Sequence, residues 1–423
     1  MHSPTIMNKR GFITLLTFFM FANTMFSQEN FKLMFYNVLN YPLQEPTTRI
    51  QDLEVVLDDY RPDLFMICEL NNEQGADNIL NILKYFNENY ERAIFELNTS
   101  DDNLGDQNDL QNMIFYDSTK FILENQAVIT STYRDFNHYE LKLNTVDQDT
   151  NPIYLDVFVT HLKSSSGVDN QQLRLDMVDD FVAYLENLPN DRNVVFGGDL
   201  NLYTSSEPAF QELLDVTNNI TFVDPADRIG SWHNNQNYLD MFTQSTRTQS
   251  GLGGATGGFD DRFDFIMTSE NMLTNTDIYY APDSYQVYGN NDNPNCYNQE
   301  INSSNCDGVD FNQTIRNALY NMSDHLPVTL ELQTTEALGI TDLVYNNGIK
   351  IVGSNVVNEQ LQLRITNSDV SNLTIYNTIG QNVKQFETNT KALITIDISK
   401  LASGIYYIAS SNKLIKPLKF VIQ

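Results

Sequence analysis

The sequence predicts an α/β protein in which a large domain of two sheets flanked by helices precedes a small all-β domain. From Gln28 to about Leu332, short and nearly continuous apolar runs alternate with helical patterns, as expected for strands that are covered on both faces. From Leu338 to Gln423, regularly spaced strand-like runs occur without a helical pattern longer than a turn or two. The 423 residues suffice for one large and one small domain.

The apolar runs of the first part predict seven strands: Phe31–Val38, Asp63–Cys68, Met113–Tyr116, Tyr154–Thr160, Asn193–Gly197, Arg262–Met267 and Pro327–Leu332. Between them lie two apolar helical stripes, formed by Ile50, Leu53, Leu57 and Tyr60 and by Leu173, Met177, Phe181, Tyr184 and Leu188. A third helix is predicted to begin at Ser206, a good N-cap residue, with Pro208 in its first turn. The pattern is typical of an α/β sandwich.

The second part predicts six strands of a small β-sandwich: Gly348–Val352, Leu361–Ile365, Leu373–Tyr376, Leu393–Ile396, Ile405–Ala409 and Leu418–Ile422. It contains no histidine and no cysteine, so we do not expect catalysis there. We therefore divide the chain into residues 1–27, 28–334 and 338–423, with Thr334–Ala337 as a short linker.

The N-terminus has the pattern of a secretory signal peptide, in which Lys9 and Arg10 precede an apolar run that extends from Gly11 to Phe26 and ends at Ser27. A membrane anchor is the alternative, but the run is shorter than the roughly 20 residues that a span needs. No later segment is apolar enough to span a bilayer. We therefore expect a soluble protein exported through the periplasm.

The net charge of −30 is distributed unevenly. From Thr335 onward the balance is +2, so the preceding part of the chain carries −32. A protein that holds nucleic acid by bulk charge is basic, because most nonspecific affinity comes from neutralised phosphates. Contact with a polyanion must therefore be local, through a few arginines or lysines and a bound cation.

The three cysteines predict one disulfide. Cys296 and Cys306 lie in a stretch rich in Asn, Asp and Ser, and in an oxidising compartment they are expected to pair. Cys68 lies in an apolar run and is expected to be a buried free thiol. None of the three belongs to a Cys-x-x-Cys or Cys/His pattern, so a zinc site is not expected.

Polar side chains stand where several predicted strands end or begin, and loops at strand ends commonly build sites on rigid scaffolds. Taken singly, such residues are common caps and turns, but together they supply carboxylates, amides and imidazoles to one site. His138 and His233 lie in polar surroundings and are expected at the surface. The candidate site residues are Asn37, Glu69, His161, Asp199, Asn201, Asp264, Asp324 and His325.

In this order, the segments around these residues resemble the endonuclease/exonuclease/phosphatase superfamily, which includes deoxyribonuclease-like enzymes. The matching pieces are Tyr36-Asn-Val38, Pro62-Asp-Leu-Phe-Met-Ile-Cys-Glu69, Thr160-His-Leu-Lys-Ser164, Gly198-Asp-Leu-Asn201, Arg262-Phe-Asp-Phe-Ile266 and Ser323-Asp-His-Leu-Pro-Val328. The resemblance covers about Phe31 to Leu332. It implies a four-layer α/β sandwich with a metal-dependent active site at one rim.

The resemblance also implies a metal site. Glu69 resembles the main metal ligand, with Asn37 and Asp324 nearby. Oxygen ligands of this kind favour Mg²⁺ or Mn²⁺ over Zn²⁺, and they are compatible with a structural Ca²⁺ ion as well. Many relatives carry an acid two or three residues beyond the first Asn, where this chain has Leu39 and Asn40, so a second metal ligand is not expected there.

The remaining residues receive roles in catalysis from the same resemblance. Asp199 and Asn201 are expected to orient or deprotonate the attacking water and to hold the phosphate. Asp264 is expected to pair with His325, and thereby to fix its tautomer and raise its basicity. His161 is expected to contact the phosphate or to protonate the leaving oxygen.

The tail carries a second resemblance. Leu373-Thr-Ile-Tyr-Asn-Thr-Ile-Gly-Gln381, Ile396-Asp-Ile-Ser-Lys-Leu-Ala-Ser-Gly-Ile-Tyr-Tyr407 and Lys416-Pro-Leu-Lys-Phe-Val-Ile422 resemble the C-terminal sorting domain of type IX secretion cargo from Bacteroidetes-type bacteria. The resemblance implies the type IX machinery as a partner and a secreted or cell-surface location. A generic β-sandwich binding module is the alternative.

Together these features predict a secreted, monomeric, metal-dependent phosphodiesterase, with a nuclease that hydrolyses extracellular DNA or RNA as the preferred interpretation. Arg134, Lys163, Arg247 and Arg262 are candidates for contacts with the substrate phosphate, and surface salt bridges are the alternative for each. Other functions left open are a phosphatase or sphingomyelinase-type phosphodiesterase of the same superfamily and a non-catalytic surface-binding protein. The complete set of candidate side chains argues against the last.

Overall fold

The computed structural model describes residues 29–100, 110–275, 277–339, 349–365, 372–388, 393–410 and 417–423. The chain divides into two compact units at residues 339 and 340. The predicted signal peptide, residues 1–27, lies outside the described residues. Within those ranges, no helix combines the length and the apolar character needed to cross a membrane.

The described part of the first unit contains the strands β1 (Glu29–Tyr41), β2 (Leu64–Leu70), β3 (Tyr90–Arg92), β4 (Gln111–Asp117), β5 (Phe121–Ile129), β6 (Phe136–Leu143), β7 (Tyr154–His161), β8 (Asn193–Asp199), β9 (Phe222–Val223), β10 (Asp264–Ser269), β11 (Tyr279–Tyr280), β12 (Gln286–Val287) and β13 (Val328–Thr334). Its helices are α1 (Arg49–Tyr60), α2 (Glu73–Phe86), α3 (Val168–Leu185), α4 (Pro208–Leu213) and α5 (Gln313–Met322). Short 3₁₀ helices occupy Gln236–Met241, Glu270–Leu273, Pro294–Cys296 and Ser304–Cys306.

Two sheets face each other in this unit. The first has the strand order β11-β13-β1-β2-β4-β3, with β12 also paired to β13, and the second has the order β5-β6-β7-β8-β10-β9. The pairs β1–β2 and β7–β8 are parallel, whereas β13 and β10 run antiparallel to β1 and β8. Helices α1, α2 and α5 share a core with the first sheet, and α3 and α4 share a core with the second. The unit is therefore the α/β sandwich that the sequence patterns predict, with the four layers that the resemblance implies.

The central strands divide their side chains between two cores, because successive residues of a strand point to opposite faces. In β8, Val195 belongs to the core between the sheets, while Val194 and Phe196 pack in the core beneath α3. Gly197 follows in the same strand, and a Cβ there would lie 2.9 Å from the Met66 sulfur of the facing sheet. The glycine thus permits the close approach of the two sheets.

Several local features differ from the sequence-based expectation. Helix α4 begins at Pro208 with Glu207 at the N-cap position, so the expected cap from Ser206 is wrong. The Glu207 carboxylate accepts a hydrogen bond from the Tyr203 N–H and forms an ion pair with Arg174. The predicted linker is still attached to the first unit, since β13 extends to Thr334 and the segment that follows pairs with residues 144–146. Helices α2 and α5 were not predicted from the sequence.

Both cysteine expectations agree with the structure. Cys296 and Cys306 form a disulfide, and Cys68 is a free thiol buried between the sheets. The disulfide closes a short loop between the last two 3₁₀ helices.

The second unit is all-β in its described part. Its strands are β14 (Ile349–Ile351), β15 (Val356–Val357), β16 (Gln360–Ile365), β17 (Asn372–Asn377), β18 (Asn382–Glu387), β19 (Leu393–Asp397), β20 (Gly404–Ser410) and β21 (Leu418–Ile422). They form one sheet of order β14-β16-β19 and another of order β15-β21-β20-β17-β18 around a shared apolar core. This is the small β-sandwich expected from the sequence.

Candidate active site

The topology of the first unit brings the polar strand ends to one edge of the sandwich. Strands β1, β2, β7 and β8 end at this edge, and the antiparallel strands β10 and β13 begin there. In the second sheet, the register places His161 opposite Asp199, and Asp199 opposite Asp264. Side chains that are far apart in the sequence therefore become lateral neighbours.

A cleft of about 440 Å³ opens at this edge. The predicted residues that line it are Glu69, Arg134, His161, Asp199, Asn201, Asp324 and His325. Tyr203, Gln244, Gly254 and Ala255 also line it and were not singled out from the sequence. Asn37 and Asp264 are buried and contact lining residues directly.

Glu69 is held by donors on both of its carboxylate oxygens. The Asn37 side-chain amide donates to Oε1 at 2.9 Å, and the backbone N–H of Asn40 donates to Oε2 at 3.1 Å. Burial, followed by the charge of Asp324, raises the pKa of Glu69. Glu69 also has a positive φ of 59°, a backbone conformation that is uncommon outside glycine and often occurs at functional sites.

Asn37 lies beside the predicted metal ligand Glu69 and orients the carboxylates around it. Its Nδ2 donates to Glu69 Oε1 and also to Asp199 Oδ2, at 3.0 Å. Its Oδ1 accepts the backbone N–H of Leu39 at 3.0 Å. In this arrangement the nitrogen faces the acidic centre, and the oxygen accepts one hydrogen bond from the backbone.

His325 and Asp264 form the expected pair. The Nδ1 atom of His325 lies 2.6 Å from Asp264 Oδ2, and its Nε2 lies 3.6 Å from Asp199 Oδ2. Burial alone would lower the pKa of His325, but the charges of Asp264, Asp199 and Asp324 outweigh it and raise that pKa well above its usual value. The ring is thus basic and is fixed in orientation by Asp264.

His161 stands between two carboxylates without making a close hydrogen bond to either. Its Nδ1 lies 3.7 Å from Glu69 Oε1, and its Nε2 lies 3.5 Å from Asp199 Oδ2. Burial, and after it the positive charge of Arg134, lowers the pKa of His161 well below its usual value. This imidazole is therefore neutral near pH 7 and suited to a hydrogen bond with a bound group.

Asp199 lies at the centre of the cluster. The backbone N–H of Asn201 donates to its Oδ1 at 3.1 Å, and the Asn201 side-chain amide donates to the Leu162 carbonyl at 3.2 Å. Burial raises the pKa of Asp199; His325 lowers it, while the carboxylates of Asp264 and Glu69 raise it further. A carboxylate with a raised pKa is a stronger proton acceptor than an exposed one.

Asp324 receives two donors on one oxygen. The backbone N–H of Ala255 donates to Oδ2 at 2.6 Å, and the Gln244 amide donates to the same atom at 3.1 Å. The Gln244 amide nitrogen also lies 2.6 Å from His325 Nε2. No strand-end pattern marks Gln244 in the sequence, because it lies on an irregular segment that only the fold brings to the cleft.

The four predicted phosphate contacts separate into two groups. Arg134 lines the cleft. The Arg134 guanidinium and the Lys163 amine each lie 5.3 Å from the centre of the Tyr133 ring.

Arg247 and Arg262 correct the expectation, because both are fully buried and their guanidinium groups bind other parts of the protein. The Arg247 guanidinium donates to four backbone carbonyls, those of Leu252, Gly253, Tyr320 and Asn321. Arg262 pairs with both carboxylate oxygens of Asp224, at 2.8 Å each.

The side chains of the cleft fit a hard divalent cation. Among the described residues, Glu69, His161 and Asp199 offer donor atoms within 4.8 Å of one another, as do Asp199, Asp264 and His325. Within the same ranges, Asp324 Oδ1 and Asp264 Oδ1 are buried acceptors without a hydrogen-bond donor. Burying a carboxylate oxygen in this way is costly unless a cation balances it.

Comparisons with known proteins concern the two units separately. Residues 355–423 match the family described as the secretion system C-terminal sorting domain. No curated protein matches the chain in sequence.

Solved structures similar to the chain include endonuclease/exonuclease/phosphatase proteins. The human Nocturnin catalytic domain with bound sulfate is 14% identical, with 73% of this chain and 97% of that chain covered and a TM-score of 0.44. TDP2 from D. rerio, complexed with a single-stranded DNA product, is 16% identical, with coverages of 72% and 99% and a TM-score of 0.45. An endonuclease/exonuclease/phosphatase from Bacteroides vulgatus is 12% identical, with coverages of 72% and 98% and a TM-score of 0.46.

The sorting domain indicates export to the cell surface or the extracellular space. The chain thus carries a C-terminal secretion sorting domain behind a four-layer α/β sandwich whose structural neighbours are endonuclease/exonuclease/phosphatase family proteins.

Proposed function

We propose that this chain is a divalent-metal-dependent phosphodiesterase that hydrolyses nucleic acid outside the cell. The observation that carries the proposal is the convergence of four carboxylates, three amides and two histidines in and around a single cleft. A buried acidic centre of this kind is unfavourable by itself and suits a cation with oxygen ligands. The sorting domain supports action beyond the cell envelope.

Glu69 and Asp324 would hold the cation, with Asn37 orienting the acidic groups around it. When bound, the cation would supply Lewis-acid stabilisation of the negative charge that develops on the phosphate oxygens. Glu69 is suited to this role because it lines the cleft, and the shared Asn37 amide holds it beside Asp199. Asp324 is suited because one of its oxygens has no other partner among the described residues.

Asp199 is our candidate for the group that accepts the proton of the attacking water. It is central, and its raised pKa makes the carboxylate a stronger proton acceptor than an ordinary aspartate. Asn201 fixes Asp199 through its backbone N–H and stands beside it in the cleft. His325, supported by Asp264, and neutral His161 would donate hydrogen bonds to the phosphate.

The charges of the cleft favour a substrate that is bound through few phosphates. Among the cleft-lining residues of the described part, Arg134 is the only arginine or lysine, whereas Glu69, Asp199 and Asp324 supply three carboxylates. An anionic ester would be repelled from such a site without a cation to balance the charge. We therefore expect the metal to be required for substrate binding and for catalysis.

The test uses the purified full chain, stripped with a chelator and then supplied with Mg²⁺ or Mn²⁺. Plasmid DNA, single-stranded DNA, RNA and sphingomyelin serve as substrates in separate reactions. We expect cleavage of nucleic acid only with metal, and a loss of roughly a hundredfold or more in Glu69→Ala and His325→Ala, as is usual for a metal ligand or an acid–base group. Glu88→Gln, an exposed change on the same unit, is the control.

Turnover that persists in excess chelator would disprove the metal assignment. Cleavage of sphingomyelin without cleavage of nucleic acid would retain the phosphodiesterase but reject the nuclease.

A further inference from the structure

A glycine-rich loop, Gly251–Gly258, stands at the cleft without a part in the proposed chemistry. Two of its residues, Gly254 and Ala255, line the cleft beside Asp324. Gln244, which lies on the segment that precedes the loop, reaches the same carboxylate. Three residues outside the predicted catalytic set therefore meet at one predicted metal ligand.

The hydrogen bonds distinguish the two oxygens of Asp324. Both donors, the Ala255 N–H and the Gln244 amide, bind Oδ2. Oδ1 is buried and has no partner among the described residues. A carboxylate that receives two donors on one oxygen cannot rotate freely, so the position of its other oxygen is fixed as well.

Gly254 is required for this contact by its lack of a side chain. A Cβ at this position would lie 2.4 Å from Asp324 Cγ and 2.6 Å from Oδ2, which is far inside van der Waals contact. Its φ of +71° also lies in the left-handed region that favours glycine. The backbone can thus approach the carboxylate closely enough for the next N–H to bind it.

We propose that Gln244 and the Gly254–Ala255 backbone are positioning residues that lock the Asp324 carboxylate, with Oδ2 occupied and Oδ1 left for the cation. The inference rests on the proposed function only in that it takes Asp324 as a metal ligand. Contacts that orient metal ligands are commonly worth about 10–100-fold in metal affinity.

Gly254→Ala and Gly253→Ala form a matched pair for the test. Gly253 has a similar φ of +77°, but a Cβ there would meet the amide end of the Gln44 side chain instead of Asp324. Both substitutions therefore carry a similar backbone penalty, and only one displaces the carboxylate. The measurement is the Kd of Mn²⁺ for the full chain without substrate, by electron paramagnetic resonance of the free ion, with the Tm recorded beside it.

We expect Gly254→Ala to weaken Mn²⁺ binding about tenfold or more, and Gly253→Ala to change it by less than about twofold. Gln244→Met removes the second donor at similar size, and it should weaken binding in the same direction. Gln249→Met, an exposed change on the same segment, should leave the Kd unchanged. If the loop had only a structural role, the substitutions would lower the Tm, but the Kd of Mn²⁺ would be the same for the two glycine variants and the same for the two glutamine variants.

Equal Mn²⁺ affinities within both pairs would overturn the positioning role. If the pairs separate but no phosphodiester is cleaved, the positioning role stands and the proposed function fails. If the unaltered chain binds no Mn²⁺, both fail.

Discussion

Arg134 and Arg262 are both buried, but their guanidinium groups have different partners. Arg134 reaches the cleft, and one of its guanidinium nitrogens donates to the carbonyls of His161 and Leu162. Arg262 lies over the Phe265 ring at 4.1 Å and pairs with Asp224 inside the second core. The charge of the first is therefore available at the cleft, and that of the second is balanced within the protein.

We predict that Arg134→Met raises KM for nucleic acid by about tenfold, because a charge-assisted contact to phosphate is worth roughly 1.5–3 kcal/mol. Arg262→Met should instead lower the free energy of unfolding by about 3 kcal/mol, since it leaves Asp224 buried without its partner. Steady-state kinetics and urea denaturation of both variants separate the two effects. A KM change in Arg262→Met at unchanged stability would contradict the assignment.

Asp156 provides a prediction for stability against pH. It is fully buried, with Oδ1 lying 2.7 Å from His138 Nε2 and Oδ2 accepting from Arg192 Nε at 2.5 Å. The expectation that His138 lies at the surface is therefore wrong, because the ring is buried and stacks on Phe158. Burial raises the pKa of Asp156, but the hydrogen bonds from His138 and Arg192 outweigh it and lower that pKa.

A carboxyl group whose folded pKa is lowered stabilises the protein above its unfolded pKa, which is about 3.9 for aspartate. That contribution is lost as the pH falls through the lower, folded pKa. We therefore predict that Asp156→Asn costs about 2 kcal/mol at pH 6 and that this difference shrinks towards pH 3. Urea denaturation of both proteins at the two pH values measures it, and a difference independent of pH would contradict the prediction.

At the residue scale, the site was predictable where a functional side chain directly follows or precedes an apolar strand. Glu69, His161 and Asp199 are examples, because a strand is visible as an apolar run and its end can be located. Gln244 was not predictable, since it lies on an irregular segment and only the packing of that segment brings it to Asp324. Arg262 was misjudged because a single sequence does not show which arginines are buried.

At the element scale, strands covered on both faces were recognised and several helices were not. Helix α2 has a strong cap, in which Asn72 accepts the N–H of Gly75, but Gly75 and the following Asp77 and Asn78 weaken its intrinsic helix signal. Helix α5 is only ten residues long and is rich in polar side chains. Both are stabilised chiefly by packing on the first sheet, which the local sequence does not reveal.

The disulfide loop supports the segment that carries Gln244 and the glycine-rich loop. The Asn298 N–H donates to the Phe259 carbonyl at 3.1 Å, and the Ile301 N–H donates to the Thr246 carbonyl at 3.0 Å. These bonds lie on either side of the glycine-rich loop and just after Cys296. The disulfide therefore helps to hold both ends of the loop that contacts Asp324.

We predict that the double variant Cys296→Ser/Cys306→Ser loses about 2–3 kcal/mol of unfolding free energy, because the unfolded chain is no longer constrained. Its affinity for Mn²⁺ should fall as well, since the support of the loop is loosened. Reductant should shift the Tm of the unaltered chain to that of the variant and leave the variant unchanged. If the Mn²⁺ affinity of the variant were unaltered, the disulfide would have no part in supporting the proposed metal site.

At the scale of the whole molecule, the two parts of the chain differ in net charge and in whether they contain proposed catalytic residues. The part before Thr335 carries −32 and contains every proposed catalytic residue, whereas the part from Thr335 onward carries +2. The cleft lies at the edge where β13 begins, and β13 then runs to the opposite edge before the unit ends. Catalysis is therefore expected to need only the first unit.

The structure also shows where that unit should be cut. Beyond β13, the Ala337 carbonyl accepts the Val146 N–H at 3.0 Å, and the Gly339 N–H donates to the Asn144 carbonyl at 2.6 Å. Leu338 packs against the main core between these two bonds. A chain that ends at Thr335 loses all of these contacts, whereas one that ends at Gly339 keeps them.

We predict that the chain ending at Gly339 retains the Tm of the first unit and the phosphodiesterase activity of the full chain, yet accumulates in the periplasm of a host with the export system. The chain ending at Thr335 should keep its activity but melt a few degrees lower, because two backbone hydrogen bonds and a packed leucine are worth about 2–3 kcal/mol together. Calorimetry, turnover assays and cell fractionation of both truncations test this. If the folded chain ending at Gly339 were inactive, the second unit would contribute to the substrate site, and the assignment of catalysis to the first unit alone would be wrong.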